Sequence, residues 1–189
     1  EFGIDLPLNK TGNMLGQLLR RFEINMVTPL INLEKMKFLK INFDPSFIAS
    51  EEYNLFMRLA CKGEFLVINE CLGSYRVSDF SLTTQAKKNW SEERLNTLKL
   101  IIKENKNLYK EYYRDFNEAF AKGLYYSARY EIEEGNKEKG RKNLLEAFKY
   151  NKIYLSFYLL SFNIFLWRYV HNFKIKRTLT KILIKFKVI

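Results

Sequence analysis

SEEYNLFMRLACKGEFLVINECLGSYRV (residues 50–77) is the stretch on which the reading of the fold turns. Ser50 precedes two adjacent acids, and the apolar pattern that starts there runs to Gly63. This predicts a helix over 51–62, with Ser50 as N-cap and Gly63 as a left-handed stop. The apolar and β-branched residues that follow, FLVINECLGSYRV, predict two short strands around Gly73. On the helix, Glu52 shares a face with Leu55, Phe56 and Leu59, while Glu51 lines up with Asn54 and Arg58 on a polar face. A carboxylate at position 52 is pulled two ways: burial raises its pKa and the helix N-terminus lowers it. Such a group is ionised yet poorly hydrated near neutral pH, which suits a general base. On spacing alone, the commoner role for a first-turn acid is to complement the helix dipole.

Working outward, TGNMLGQLLRRF (11–22) has Met14, Leu15, Leu18 and Leu19 at helical spacing. INMVTPLI (24–31) reads as a strand near an edge or bend because of Pro29. LEKMKFLK (33–40) reads as a short helix or turn, and INFDPSF (41–47) as a loop with Asp44-Pro45 as its turn signal. From Asn89 onward the amphipathic period is helical throughout, and the stretch around Gly135-Asn136 resembles one tetratricopeptide-like hairpin. The chain is therefore expected to divide into an α/β part (1–86) and an all-α extension (87–189) with a basic, aromatic-rich tail.

Composition narrows the function classes. With 47% hydrophobic residues, 16 Phe and 12 Tyr in 189 residues, the chain has material for a core. Its two cysteines lack metal-type spacing and His171 is its one histidine, so no metal site of its own is expected. The net charge of +11 is uneven: nine Lys and Arg but no acid follow Glu146, leaving +2 for residues 1–146. Cations gathered at one end argue against a nucleic-acid groove and suit an anionic membrane surface. GNKEKGRK (135–142) imitates a phosphate-binding loop, but it lacks Gly-Lys-Ser/Thr after a strand and reads as a polar turn. IYLSFYLLSFNIFLW (153–167) is uncharged and, as one helix, about 22 Å long. That is too short for a bilayer core of about 30 Å. With Trp167 and Tyr169 as an interfacial belt, it reads either as a packed helix or as a membrane-surface one.

The order of motifs across 12–84 resembles the C-terminal half of the catalytic domain of family-2-type inverting glycosyltransferases of the GT-A fold. NFDPSF (42–47), EEYNLFMRLA (51–60) and SYRVSDFSLT (74–83) stand where that family has Gly-Gly-Phe-Asp, Glu-Asp-Tyr-Asp-Leu-Trp-Leu-Arg-Leu and a strand ending Tyr-Arg-x-His. The matching positions are Phe43, Asp44, Glu51, Tyr53, Leu55, Arg58, Leu59, Tyr75 and Arg76, with Ser78 in place of the histidine.

The resemblance implies a Rossmann-like α/β domain that uses a nucleotide-sugar. It implies transfer of a single sugar, with inversion, to a hydroxyl of a polysaccharide, lipid-linked glycan or glycoprotein. By position Glu52 is the catalytic base, with Glu51 beside it, and Thr28, Arg76 and Ser78 are candidate substrate contacts. A divalent cation, Mg or Mn, is expected with its ligands outside this chain, so that residues 1–189 alone would be inactive. The expected location is cytoplasmic, either free or peripheral on the inner face of the plasma membrane. The alternative is a non-enzymatic helical interaction module with a membrane-binding basic tail.

Overall fold

The structure is a computed structural model that describes residues 11–68, 70–74 and 87–171. Its helices are α1 (Leu15–Arg20), α2 (Leu33–Leu39), α3 (Glu51–Ala60), α4 (Lys87–Glu104), α5 (Lys106–Glu111), α6 (Tyr113–Glu133), α7 (Lys137–Tyr150), α8 (Tyr154–Leu160) and α9 (Ile164–His171). The expected α/β class is overturned: among the described residues there is no strand. The backbone pairing that replaces the expected sheet is an isolated antiparallel bridge, where Gly12 and Phe65 exchange N–H···O bonds of 2.7 and 2.9 Å. A Rossmann-like layer of strands is therefore not part of this architecture.

Local chemistry explains the first missing strand. In 24–31, Asn25 accepts from the Val27 amide with its side chain (3.2 Å) and from the Thr28 amide with its carbonyl (3.3 Å), which closes a turn. Met26, Val27 and Leu30 are left exposed, Leu30 completely. Apolar and β-branched residues favour a strand only when a neighbouring strand packs on them, and among the described residues none does. Residues 65–68 keep a period-two alternation, since Phe65 and Val67 pack against the core while Leu66 and Ile68 face outward. They gain only the single bridge. The second expected strand, after Gly73 and ending at Val77, runs into residues 75–77, outside the described set.

Gly63 ends no helix in a left-handed conformation, since among the described residues positive φ occurs at Gly12, Gly135 and Lys40. Lys40 (φ 53°) is the left-handed cap of α2 and Gly135 (φ 93°) turns the chain between α6 and α7.

Packing joins the two halves of the sequence. The largest core cluster draws Met14, Leu15, Leu18 and Leu19 from α1 and its entry, and Tyr53, Met57 and Ala60 from α3. Leu98 and Ile101 of α4 and Phe116, Ala119 and Phe120 of α6 complete it. Each buried aliphatic or aromatic side chain contributes about 1.5–3 kcal/mol through loss of apolar contact with water. A second cluster closes the far end, where Ala128 and Ile132 of α6 meet Leu144 of α7 and Trp167 of α9. At the α6–α7 crossing Gly140 allows close approach: a Cβ there would lie 2.4 Å from Ile132 Cγ1 and 2.9 Å from the Ala128 carbonyl.

The run 153–167 is not one helix. Two short helices meet at Ser161–Asn163, and the Asn163 side chain accepts from the Phe165 and Leu166 amides, both at 3.1 Å, to start α9. Trp167 is completely buried, so it does not belong to an exposed aromatic belt. It is held there by His171, which bonds the Trp167 carbonyl through Nδ1 (2.7 Å) and the Tyr125 hydroxyl through Nε2 (2.7 Å). The carbonyl can only accept, so Nδ1 carries the proton in that arrangement.

Candidate functional site

The N-terminus of α3 is organised by a residue 43 positions downstream. Glu93, on α4, accepts from the amides of Ile48 (3.0 Å), Ala49 (2.9 Å) and Ser50 (2.8 Å). Ser50 occupies the N-cap position but does not cap with its side chain. Its hydroxyl instead donates to the Trp90 carbonyl (3.2 Å), which ties the entry of α3 to α4 a second time. One turn further along, buried Asn54 donates to Thr97 Oγ1 (3.2 Å), and that hydroxyl donates to the Glu93 carbonyl (3.0 Å). The α3–α4 contact is thus a polar ladder set into an apolar interface, and it fixes the first turn of α3 against α4.

Onto this frame α3 places Glu51 and Glu52, both half-exposed. The expected division of the two, one inward and one outward, is softened: the buried residues Tyr53 to Met57 go right round the helix, and Asn54, expected on a polar face, is fully covered. Glu52 is nevertheless the distinctive carboxylate. Desolvation is the largest influence on it and pushes its pKa above the ordinary value, opposed by its own backbone amide and by Arg94. The neighbouring charges of Glu51 and Glu93 push the same way as burial.

Arg94 sits in an aromatic cradle, its guanidinium carbon 3.7 Å from the Trp90 ring centre, 4.5 Å from Tyr53 and 5.4 Å from Phe22. Burial lowers its pKa, and its Nε has no hydrogen-bond partner among the described residues. Stacking orients a planar guanidinium while leaving its edge available. Trp90, Glu93 and Arg94 were not legible as site residues, although their spacing along one amphipathic helix is the signal that groups them.

On the other flank, Asp44 accepts from the amide (2.9 Å) and hydroxyl (2.7 Å) of Ser46, and these two bonds hold its carboxyl below the usual range. Asp44, Ser46 and Phe47 line one wall of an open depression of about 330 Å³, and Glu93, Asn96 and Leu100 line the other. Arg58 bonds the Asn42 carbonyl (3.3 Å) and Asn54 Oδ1 (3.4 Å), so its expected place in the motif is filled by a structural role. Thr28 lies exposed on the 25–28 turn, against Gly73, and no hydrogen bond joins it to α3 among the described residues. Arg76 and Ser78 lie outside the described residues, so the expected substrate contacts are not brought together here.

No family model, curated protein or solved structure matches this chain. The resemblance to family-2-type glycosyltransferases is therefore corrected: the described chain is helical without a strand, and no solved structure of GT-A fold aligns with it. The matching letters at 51–60 reflect an amphipathic helix with acids in its first turn, a pattern that many folds use. Among the described residues no group of three His, Cys, Asp or Glu is placed to hold a metal ion. The divalent cation was expected with its ligands outside this chain, and no chemistry is routed through one here. Among the same residues no helix is long and apolar enough to cross a membrane.

Proposed function

We propose that this chain supplies the proton-accepting side of a sugar-transfer site, with Glu52 as general base. In this reading Glu52 takes the proton of an acceptor hydroxyl, on a glycan or lipid-linked acceptor, as that oxygen attacks the anomeric carbon of a nucleotide-sugar. The anomeric carbon–phosphate bond breaks and the nucleoside diphosphate leaves. The observation that carries the reading is the environment of Glu52. It is half-buried, raised by desolvation, and set at the start of a helix whose entry, the amides of Ile48 to Ser50, is bound by Glu93. A carboxylate whose ionised form is under-solvated is a better base than one in water. The environment of Glu52 supports a general base and does not select the substrate, so sugar transfer is the part of this proposal that the assay decides. Arg94, cradled beside Glu52, would hold the Glu52 carboxylate ionised at the start of the step. The donor's diphosphate and any cation it needs would be held by groups outside the described residues.

The test is transfer from radiolabelled uridine- and guanosine-diphosphate sugars by the native protein that carries this chain. Glu52→Gln keeps the size and removes the base, so transfer should fall by about 10²–10⁴-fold. Glu51→Gln should lose less than about tenfold. Equal, mild losses for both variants, or no transfer from any of these donors by the wild-type protein, would overturn the proposal.

A further inference from the structure

The outer surface of α8 and α9 is largely apolar, interrupted by exposed Ser156, Asn163 and Arg168. Ile153, Leu159, Phe162, Phe165, Leu166 and Tyr169 are between 51% and 82% exposed, while Tyr154, Trp167 and His171 of the same segment face inward. The two helices are amphipathic with the apolar side outward as well as inward, an arrangement that a globular surface does not need. Cations border the face. Lys152 and Arg168 are exposed on it, and Arg141 lies over the Phe162 ring at 4.1 Å. The sequence then continues through Lys174, Lys176, Arg177, Lys181, Lys185 and Lys187, with no acid anywhere after Glu146.

We propose that this face docks on the surface of an anionic lipid bilayer, with α8 and α9 lying in the interface and the basic chain after His171 adding electrostatic attraction. This does not rest on the role assigned to Glu52. Charge selects the occupant. A second copy of this chain would set a face bordered by Arg141, Lys152 and Arg168 against the same cations, with no acid from 147 onward to pair them. An anionic bilayer offers both an apolar layer for Phe165 and Leu166 and negative headgroups for the cations. The described geometry fits lying on the membrane, since no helix among the described residues is long enough to cross it. The seven residues of α8 and the eight of α9 span only about 10–12 Å each, against about 30 Å of hydrocarbon.

Co-sedimentation of the full chain with vesicles tests this, using phosphatidylglycerol–phosphatidylcholine (1:1) against phosphatidylcholine alone. The expected result is binding to the anionic vesicles at least about tenfold tighter than to the neutral ones, since each basic side chain near the surface multiplies affinity roughly fivefold. About 0.5 M salt should remove most of that advantage. Leu159→Asp with Phe165→Asp changes two exposed positions without touching the core. It should weaken binding at least about tenfold while circular dichroism and the melting temperature stay unchanged. Truncation after His171 should leave weak, salt-insensitive binding. Equal binding to both vesicle types, undiminished binding by the double variant, or no binding at all would overturn the proposal. So would dimerisation of the full chain that the double variant abolishes, because the face would then belong to a second copy.

Discussion

Removing the Glu93 carboxylate is the most direct probe of how α3 is held. Its two oxygens divide the work: Oε1 accepts from the exposed Ile48 amide, and Oε2 from the half-buried Ala49 and Ser50 amides. In Glu93→Ala the Ile48 amide is returned to water at little cost. The other two lose a charged acceptor in a site where water enters poorly. Hydrogen bonds to charged groups contribute about 1.5–3 kcal/mol each and partial rehydration recovers some of it, so the expected loss is about 2–4 kcal/mol. For a chain of this length that is about 5–15 °C in melting temperature. Glu93→Gln can keep its carbonyl oxygen in the Oε2 position and sacrifice only the Ile48 bond, which sets its loss at about 1 kcal/mol. Urea unfolding followed by circular dichroism measures both, with exposed Glu64→Ala as a control expected within about 0.5 kcal/mol of wild type. If Glu93→Ala matches the control, or if Gln is as damaging as Ala, Glu93 does not organise the entry of α3.

Two further outcomes follow from the packing and from the charge of Glu52. Gly140→Ala should destabilise by about 1–3 kcal/mol despite a better helix propensity, because its Cβ meets the Ala128 backbone carbonyl as well as Ile132. Gly123→Ala meets only the flexible Leu95 side chain and should cost less; the reverse order in urea unfolding would contradict the close α6–α7 approach. Because the folded state raises the pKa of Glu52 above its ordinary 4.5, ionising that group costs stability, and the cost disappears as pH falls below that unfolded value. Glu52→Gln should therefore be more stable than wild type at pH 7, by at most about 1 kcal/mol for so exposed a group. The two should converge below about pH 4; a variant less stable than wild type at pH 7 refutes the desolvated setting.

What was legible in the sequence was local. The helices at 15–20 and 51–60, and the run from Asn89 to Tyr150, announce themselves through the 3.6 period; 33–40, open between a short helix and a turn, is a helix over 33–39, and Gly135-Asn136 marks the hairpin between α6 and α7. Strands are another matter, because INMVTPLI has strand composition but the pairing partner that would realise it cannot be read from those eight letters. The same limit hid the cap of α3. Ser50 is the local candidate, yet the acceptor that serves its amide is Glu93, brought in by the packing of α4. At 153–167 the difficulty was of another kind. A run apolar on every side has no period to separate inside from outside, so Trp167, a residue at home in an interface, gave no sign that it fills the core.

The acids that stood out in a basic chain take on a sharper meaning once Glu93 is in place. An acid in the first turn is normally explained by the partial positive charge of the helix end. Here Glu93 already binds the amides that lead into that end, with Glu51 beside it, so Glu52 is the third carboxylate in one small region. Each of the other two makes its ionisation harder, and burial adds to both. Arg94 is the charge that opposes them, and stacking on Trp90 and Tyr53 fixes it beside α3. Helix stability does not ask for such a third acid; a neutral Gln would serve it better. A group kept at a cost to folding is the usual mark of a site, and the Glu52→Gln variant separates the two explanations by the sign of its stability change before any substrate is known.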